Sequence, residues 1–140
     1  MSSFTAYVDG GARGNPGPAG WGVQIRNEAN DVVHEFHGAI AHATNNVAEY
    51  QGLIAALDWC QEHGATRVDI RSDSLLLVQQ MLGHFKVKSD GLKPLCAQAR
   101  LIAATIGRVG YKHIPREENE DADRLANTAM DEAQIKSSSP

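Results

Sequence analysis

The sequence predicts an α/β domain. Its core is a mixed five-stranded sheet, three antiparallel strands plus two parallel ones, flanked by helices. Two observations carry this expectation. Three strand-like stretches, "FTAYVD" (4–9), "GWGVQIRN" (20–27) and "VVHEFHGAI" (32–40), follow one another with short connections, as in an antiparallel meander. Two further strand-like runs, "TRVDIRSD" (66–73) and "RVGYKHI" (108–114), alternate with helical spacing, as parallel strands with crossover helices do.

The first strand alternates, with Phe4, Ala6 and Val8 on one face and Thr5, Tyr7 and Asp9 on the other. A glycine- and proline-rich loop, "GGARGNPGPAG", separates it from the second strand, and "NEAND" is a turn before the third. The period then changes. In "NNVAEYQGLIAALDWCQEHG", Glu49, Leu53, Ala56 and Cys60 form one helical stripe with Tyr50, Ile54 and Leu57 beside it, and Gly64 ends the helix. "SLLLVQQML" reads as a short helix, "GHFKVKSDG" as a loop, "LKPLCAQARLIAATI" as a helix and "NEDADRLANTAMDEA" as the last helix. Residues 1–135 form one domain in this reading, and 136–140 a polar, frayed tail.

At 140 residues the chain is long enough for one core. No apolar run approaches the ~18–20 residues of a membrane span, and "MSSFTAYV" lacks a signal pattern, so a cytoplasmic protein without membrane attachment is expected. The formal charge of −4 provides no global attraction for nucleic acid, although local charge matters more than the sum. Cys60 and Cys96 match no metal-ligand spacing and read as two buried, reduced thiols.

Four acids fall at element ends: Asp9, Glu49, Asp73 and Asp123. Three have ordinary explanations. Asn46 and Glu49 have capping-box spacing, Asp73 suits an N-cap, and Asp123 complements a helix dipole. Asp9 has none, because no helix begins after it. If the first and fourth strands are neighbours, Asp9 and Asp73 end side by side. Glu49 heads an apolar stripe, a costly place for a charge without a cation. Gathered carboxylates repel one another unless cations neutralise them, and an all-oxygen set suits Mg²⁺ better than zinc. Asp9 is therefore a candidate central ligand, with the glycine loop leaving room for a polymeric substrate or another backbone.

The series "YVDGGARGNPGPAGWG", "ATNNVAEYQGLIAAL", "IRSDS" and "HIPREENEDADRLAN" resembles the motifs of type 1 ribonuclease H, in order, from about Tyr7 to Met130. The likeness is to bacterial and archaeal forms that lack a basic handle. It implies a ribonuclease H-like sheet and an endonuclease that cuts the RNA strand of RNA–DNA hybrids, leaving 5′-phosphate and 3′-hydroxyl ends. By the motif match, Asp9, Glu49, Asp73 and Asp123 bind two Mg²⁺ ions, with Mn²⁺ able to substitute, and His113 assists proton transfer or product release. The same match puts Asn15, Asn45 and Asn46 against the minor groove and Thr44 on a phosphate of the DNA strand. Their ordinary alternatives are turn and cap roles, and Asn119 starts the last helix on either reading. Some family members carry a basic, tryptophan-rich handle where this chain has only Phe85, Lys86 and Lys88, and an arginine where it has Val47. A monomer is expected. Two alternatives stand beside this reading: an idle hybrid-binding module, and the DNA strand transfer or junction cleavage of transposases and resolvases.

Overall fold

The computed structural model describes residues 2–138. Its elements are β1 (Ser2–Ala12), β2 (Gly17–Arg26), β3 (Val32–Ala43), α1 (Asn45–Glu62), β4 (Ala65–Ser72), α2 (Leu75–Met81), α3 (Lys93–Ile106), β5 (Arg108–His113) and α4 (Glu120–Ser138). A single 3-10 turn over Arg116–Glu118 precedes α4. The sheet order is β3-β2-β1-β4-β5. β1–β2 and β2–β3 pair antiparallel, and β1–β4 and β4–β5 pair parallel, so the expected mixed sheet forms.

The strands alternate as the sequence suggests. Ala6 and Val8 of β1, Val23 and Ile25 of β2, and Val68 and Ile70 of β4 are buried in one core with Leu53, Leu57 and Cys60 of α1 and Ala99 and Ile106 of α3. Each large aliphatic side chain buried there contributes about 1.5–3 kcal/mol. The buried Tyr50 hydroxyl donates to Gln80 Oε1 at 2.7 Å, and Arg100 donates to the Gln80 carbonyl at 2.9 Å, which ties α1, α2 and α3 together. Cys60 and Cys96 are buried and free, and burial pushes the Cys60 thiol up to about 12. Among the described residues no helix is long and apolar enough to cross a membrane.

Several boundaries differ from the sequence expectation. β1 continues to Ala12 and β2 starts at Gly17, because Gly11 pairs with Gly20 and Ala12 with Ala19. Much of the pliable loop is therefore sheet, and the true turn is short. α4 runs to Ser138, so Lys136–Ser138 continue the helix where a frayed tail was expected; residues 139 and 140 lie outside the described residues. The cap of α1 is Thr44, whose Oγ1 accepts from Val47 N at 3.2 Å, which removes the Asn46 capping box. Ser74 caps α2 in place of Asp73.

Helices meet both faces at backbone distance. A Cβ built on Gly10 would lie 2.5 Å from the Ala48 carbonyl carbon, so α1 rests directly on β1. On the opposite face, a Cβ on Gly22 would lie 2.5 Å from the Ala122 oxygen and 2.6 Å from Ala126 N of α4. Gly22→Ala should therefore push α4 outward, lowering stability by about 1–3 kcal/mol as overpacked sites do. A thermal melt of the variant checks this, and an unchanged midpoint would mean that the contact is slack.

Candidate active site

β1 delivers Asp9 one residue before Gly10, and the contact of Gly10 with α1 brings Glu49 beside it. Parallel pairing of Val8 with Ser72 places Asp73 just beyond the end of β4. One carboxylate oxygen from each of Asp9, Glu49 and Asp73 lies within 4.8 Å of the others. Asp123, in the first turn of α4, reaches Asp9 from the other side and bonds its carboxyl. All four line one open cavity of about 530 Å³, together with Asn45, His113, Arg116 and Asn127.

The electrostatics are those of crowded, half-dry acids. Burial, then the Asp73 charge and the bond from Asp123, push Asp9 up to about 8, although Gly10 N donates to Asp9 Oδ1 at 2.9 Å. Burial, with Asp9 and Asp73 beside it, raises Glu49 well above the usual carboxylate range. Burial also raises Asp73, against the Asn119 amide, Arg116 and His113, which favour its charged form. Glu49 Oε2 is buried and has no hydrogen-bond partner among the described residues. An oxygen-only donor set of this kind, strained when charged, fits a hard divalent cation.

The structure sorts the other expected residues into three places. Asn45 lines the cavity; its Oδ1 accepts from Ala12 N at 2.7 Å, while Asn15 Oδ1 accepts from Asn45 N at 2.9 Å. The β1–β2 turn and the start of α1 are thereby stitched together beside the acids. Thr44 and Asn46 flank Asn45 and are exposed, and Asn46 does not line the cavity. Phe85 and Lys86 line a second cavity, with Lys93 and Arg100, while Lys88 is exposed and lines neither. His113 sits at the cavity with Nε2 3.3 Å from the Asp73 carbonyl; a carbonyl only accepts, so Nε2 is the donor.

Two residues carry more than the sequence signalled. Arg116, inside "HIPREEN", is the cation among the residues lining the carboxylate cavity. Asn119 is buried, and its Nδ2 donates to the Val8 carbonyl at 2.9 Å, one residue before Asp9. Its backbone carbonyl accepts from Asp123 N at 3.0 Å, so this one residue, through side chain and backbone, links β1 to the helix turn that carries Asp123. The turn between β1 and β2 is clamped on the same helix by Arg13, which pairs with Asp131 and donates to Gln134 Oε1 at 2.9 Å.

Fold and acid cluster together give an oxygen-donor set at one end of a mixed sheet that fits a divalent cation. Comparison with known proteins then gives the family. A family model described as reverse transcriptase-like matches residues 7–129. The bifunctional protein Rv2228c of Mycobacterium tuberculosis is 50% identical over 127 residues, covering 90% of this chain and 35% of that protein. The solved N-terminal RNase H domain of that protein superposes with a TM-score of 0.95 at 45% identity, covering 99% of this chain and all of the domain. Ribonuclease HI of Halobacterium salinarum is 39% identical over 128 residues, covering 91% of this chain and 64% of the relative. LC11-RNase H1, solved in complex with an RNA/DNA hybrid, has a TM-score of 0.88 at 45% identity, covering 94% of this chain and 99% of that one. The chain belongs to the type 1 ribonuclease H family of enzymes. It spans only about a third of the Mycobacterium relative's length.

The raised carboxyls set a pH dependence for the metal-free protein. The unfolded chain releases the Asp9 proton near the ordinary value of 3.8, whereas the folded chain holds it to about 8. Stability is therefore greatest below that window and falls as pH rises through it, because the unfolded state binds fewer protons there. In EDTA, the melting temperature should fall between pH 5 and pH 8, and Asp9→Asn should flatten the fall. A chain of this size gains about 2–8 °C for each kcal/mol of repulsion relieved. Equal slopes for the two proteins would contradict the repulsion.

Proposed function

We propose that this chain is an endoribonuclease that hydrolyses the RNA strand of RNA–DNA hybrids, leaving 5′-phosphate and 3′-hydroxyl ends. Asp9, Glu49, Asp73 and Asp123 would hold two Mg²⁺ ions, with Mn²⁺ able to replace them. Residues 1–135 are the catalytic unit in this reading, acting as a cytoplasmic monomer. The observation that carries it is the convergence of four carboxylates on one cavity, with Asp9, Glu49 and Asp73 raised above the usual carboxylate range by burial and by neighbouring acids. When bound, the ions would supply Lewis-acid polarisation of the attacking water and charge stabilisation at the leaving 3′-oxygen.

The remaining work falls to the protein's own groups. Asp9 and Glu49 would give up their protons when cations bind, and the cations would offset the repulsion among the acids. His113 donates from Nε2 to the Asp73 carbonyl, so Nδ1 is its nitrogen free to accept a proton at the cavity edge. Asn15 and Asn45 have committed their side-chain oxygens to backbone N–H groups, so their NH₂ groups are the donors available to base edges and 2′-hydroxyls. Asn46 presents a third amide beside them. Thr44 caps α1 with its oxygen and keeps its hydroxyl proton for a phosphate of the DNA strand. Phe85, Lys86 and Lys88 would meet the duplex farther along, where a basic handle is absent.

Incubation with RNA–DNA hybrid, double-stranded RNA and double-stranded DNA in Mg²⁺ tests the assignment on one gel. Only the hybrid's RNA should be cut. Asp9→Asn should fold normally and lose more than about a hundredfold in kcat, since even residues that only orient metal ligands are worth about 10–100-fold. Normal turnover by the folded variant, or cleavage of duplex DNA instead, would remove this reading.

A further inference from the structure

α4 packs on β1, β2 and β3. On the same face, beyond that helix, β4 and β5 present Arg67, Arg71, Arg108 and Lys112 against a single carboxylate, Asp69. The register sets them in rows: Arg67 beside Arg108, Asp69 beside Gly110, and Arg71 beside Lys112. Arg67, Arg108 and Lys112 are exposed. Arg71 lies over the Tyr7 ring, 5.8 Å from its centroid, and its Nε has no hydrogen-bond partner among the described residues. Four of the chain's 13 lysines and arginines thus converge on half of one sheet face, in a protein whose formal charge is −4.

This face is continuous with the active site. Tyr7, Arg71 and Lys112 are neighbours in register; Asp9 stands two residues beyond Tyr7 on the same side of β1, and Asp73 follows just past the end of β4. At about 3.3 Å per residue, the nearest cations lie roughly 7 Å along the strands from the carboxylates. Arg116 adds one more cation at the cavity itself.

We propose that the open face of β4 and β5 binds the phosphate backbone of a nucleic-acid duplex leaving the carboxylate cluster. The proposal rests on the nucleic-acid reading of the active site. Its occupant is specified by charge: a polyanion that the acid cluster repels but the neighbouring rows attract. Such a strip supplies attraction that the chain's net charge does not, and it holds the duplex at a point remote from the scissile bond.

The test combines Arg67→Gln, Arg108→Gln and Lys112→Gln in the full chain, in an Asp9→Asn background that stops cleavage. A control of equal net charge carries Ala29→Glu, Val32→Glu and Val33→Glu at the distant β2–β3 hairpin. Binding of RNA–DNA hybrid and of duplex DNA, each about 30 base pairs, is titrated across salt. The triple Gln variant should bind at least about tenfold more weakly than the control near 0.1 M salt, and its slope of log affinity against log salt should be shallower by about 2–3, since each lost phosphate contact removes about 0.9. A triple variant that matches the control in affinity and slope overturns the proposal. Arg108→Gln with Lys112→Gln, on the edge strand alone, serves if the triple variant does not fold, with a smaller shift of the same kind expected. Hybrid cleavage by the unaltered chain is measured separately. If that fails while duplex binding still depends on these residues, the surface stands and the substrate assignment falls.

Discussion

Backbone-to-backbone contact at two glycines is what the rest of the site depends on. Gly10 admits α1 on one face of the sheet and Gly22 admits α4 on the other, with no room at either for a Cβ. Asp9 pairs with Gly22 and precedes Gly10, so it stands between the two contacts. Each contact delivers an acid to it, Glu49 from one helix and Asp123 from the other. The parallel β1–β4 pairing then adds Asp73 along the sheet. Side chains at these glycines would separate the helices from the strands and the carboxylates from one another.

Such crowding costs stability unless something opposes it. The protein offers modest opposition: the Gly10 N–H on Asp9, and the Asn119 amide, Arg116 and His113 near Asp73. None of these reaches Glu49 Oε2. The imbalance suits a site whose missing charge arrives from solution, and it explains why the surrounding links are firm. Asn119 ties β1 to α4, Asn45 and Asn15 tie the β1–β2 turn to α1, and Arg13 clamps that turn to α4. The acids are held near one another by packing that does not depend on their own charges.

Much of this was readable in the sequence because its signals are local. Alternation in "FTAYVD" gave the inner and outer faces of β1, helical spacing in "NNVAEYQGLIAAL" put Glu49 at the head of a buried stripe, and the acids fell at element ends. What local pattern does not contain is which backbone approaches which. The glycines around Asp9 read as loop, yet Gly10, Gly11 and Gly20 are paired strand, and Gly10 is where a helix docks. Asn119 read as a helix start, but its side chain bonds a carbonyl 111 residues away, a link that exists only once β1 and α4 meet. The basic face of β4 and β5 was hidden for a related reason. Its cations are spread through two segments whose register alone gathers them.

The central claim is that Asp9 and Glu49 hold their protons far above the usual carboxylate range, because they are buried and beside other acids, and surrender them to a divalent cation. Calorimetric titration of Mg²⁺ at pH 7, repeated in buffers of different ionisation enthalpy, counts the protons released on binding. With Asp9 held up to about 8 and Glu49 raised as well, binding should release about one proton or more per protein. Saturable Mg²⁺ binding with no proton release would show that the acids were already charged, and would contradict the account.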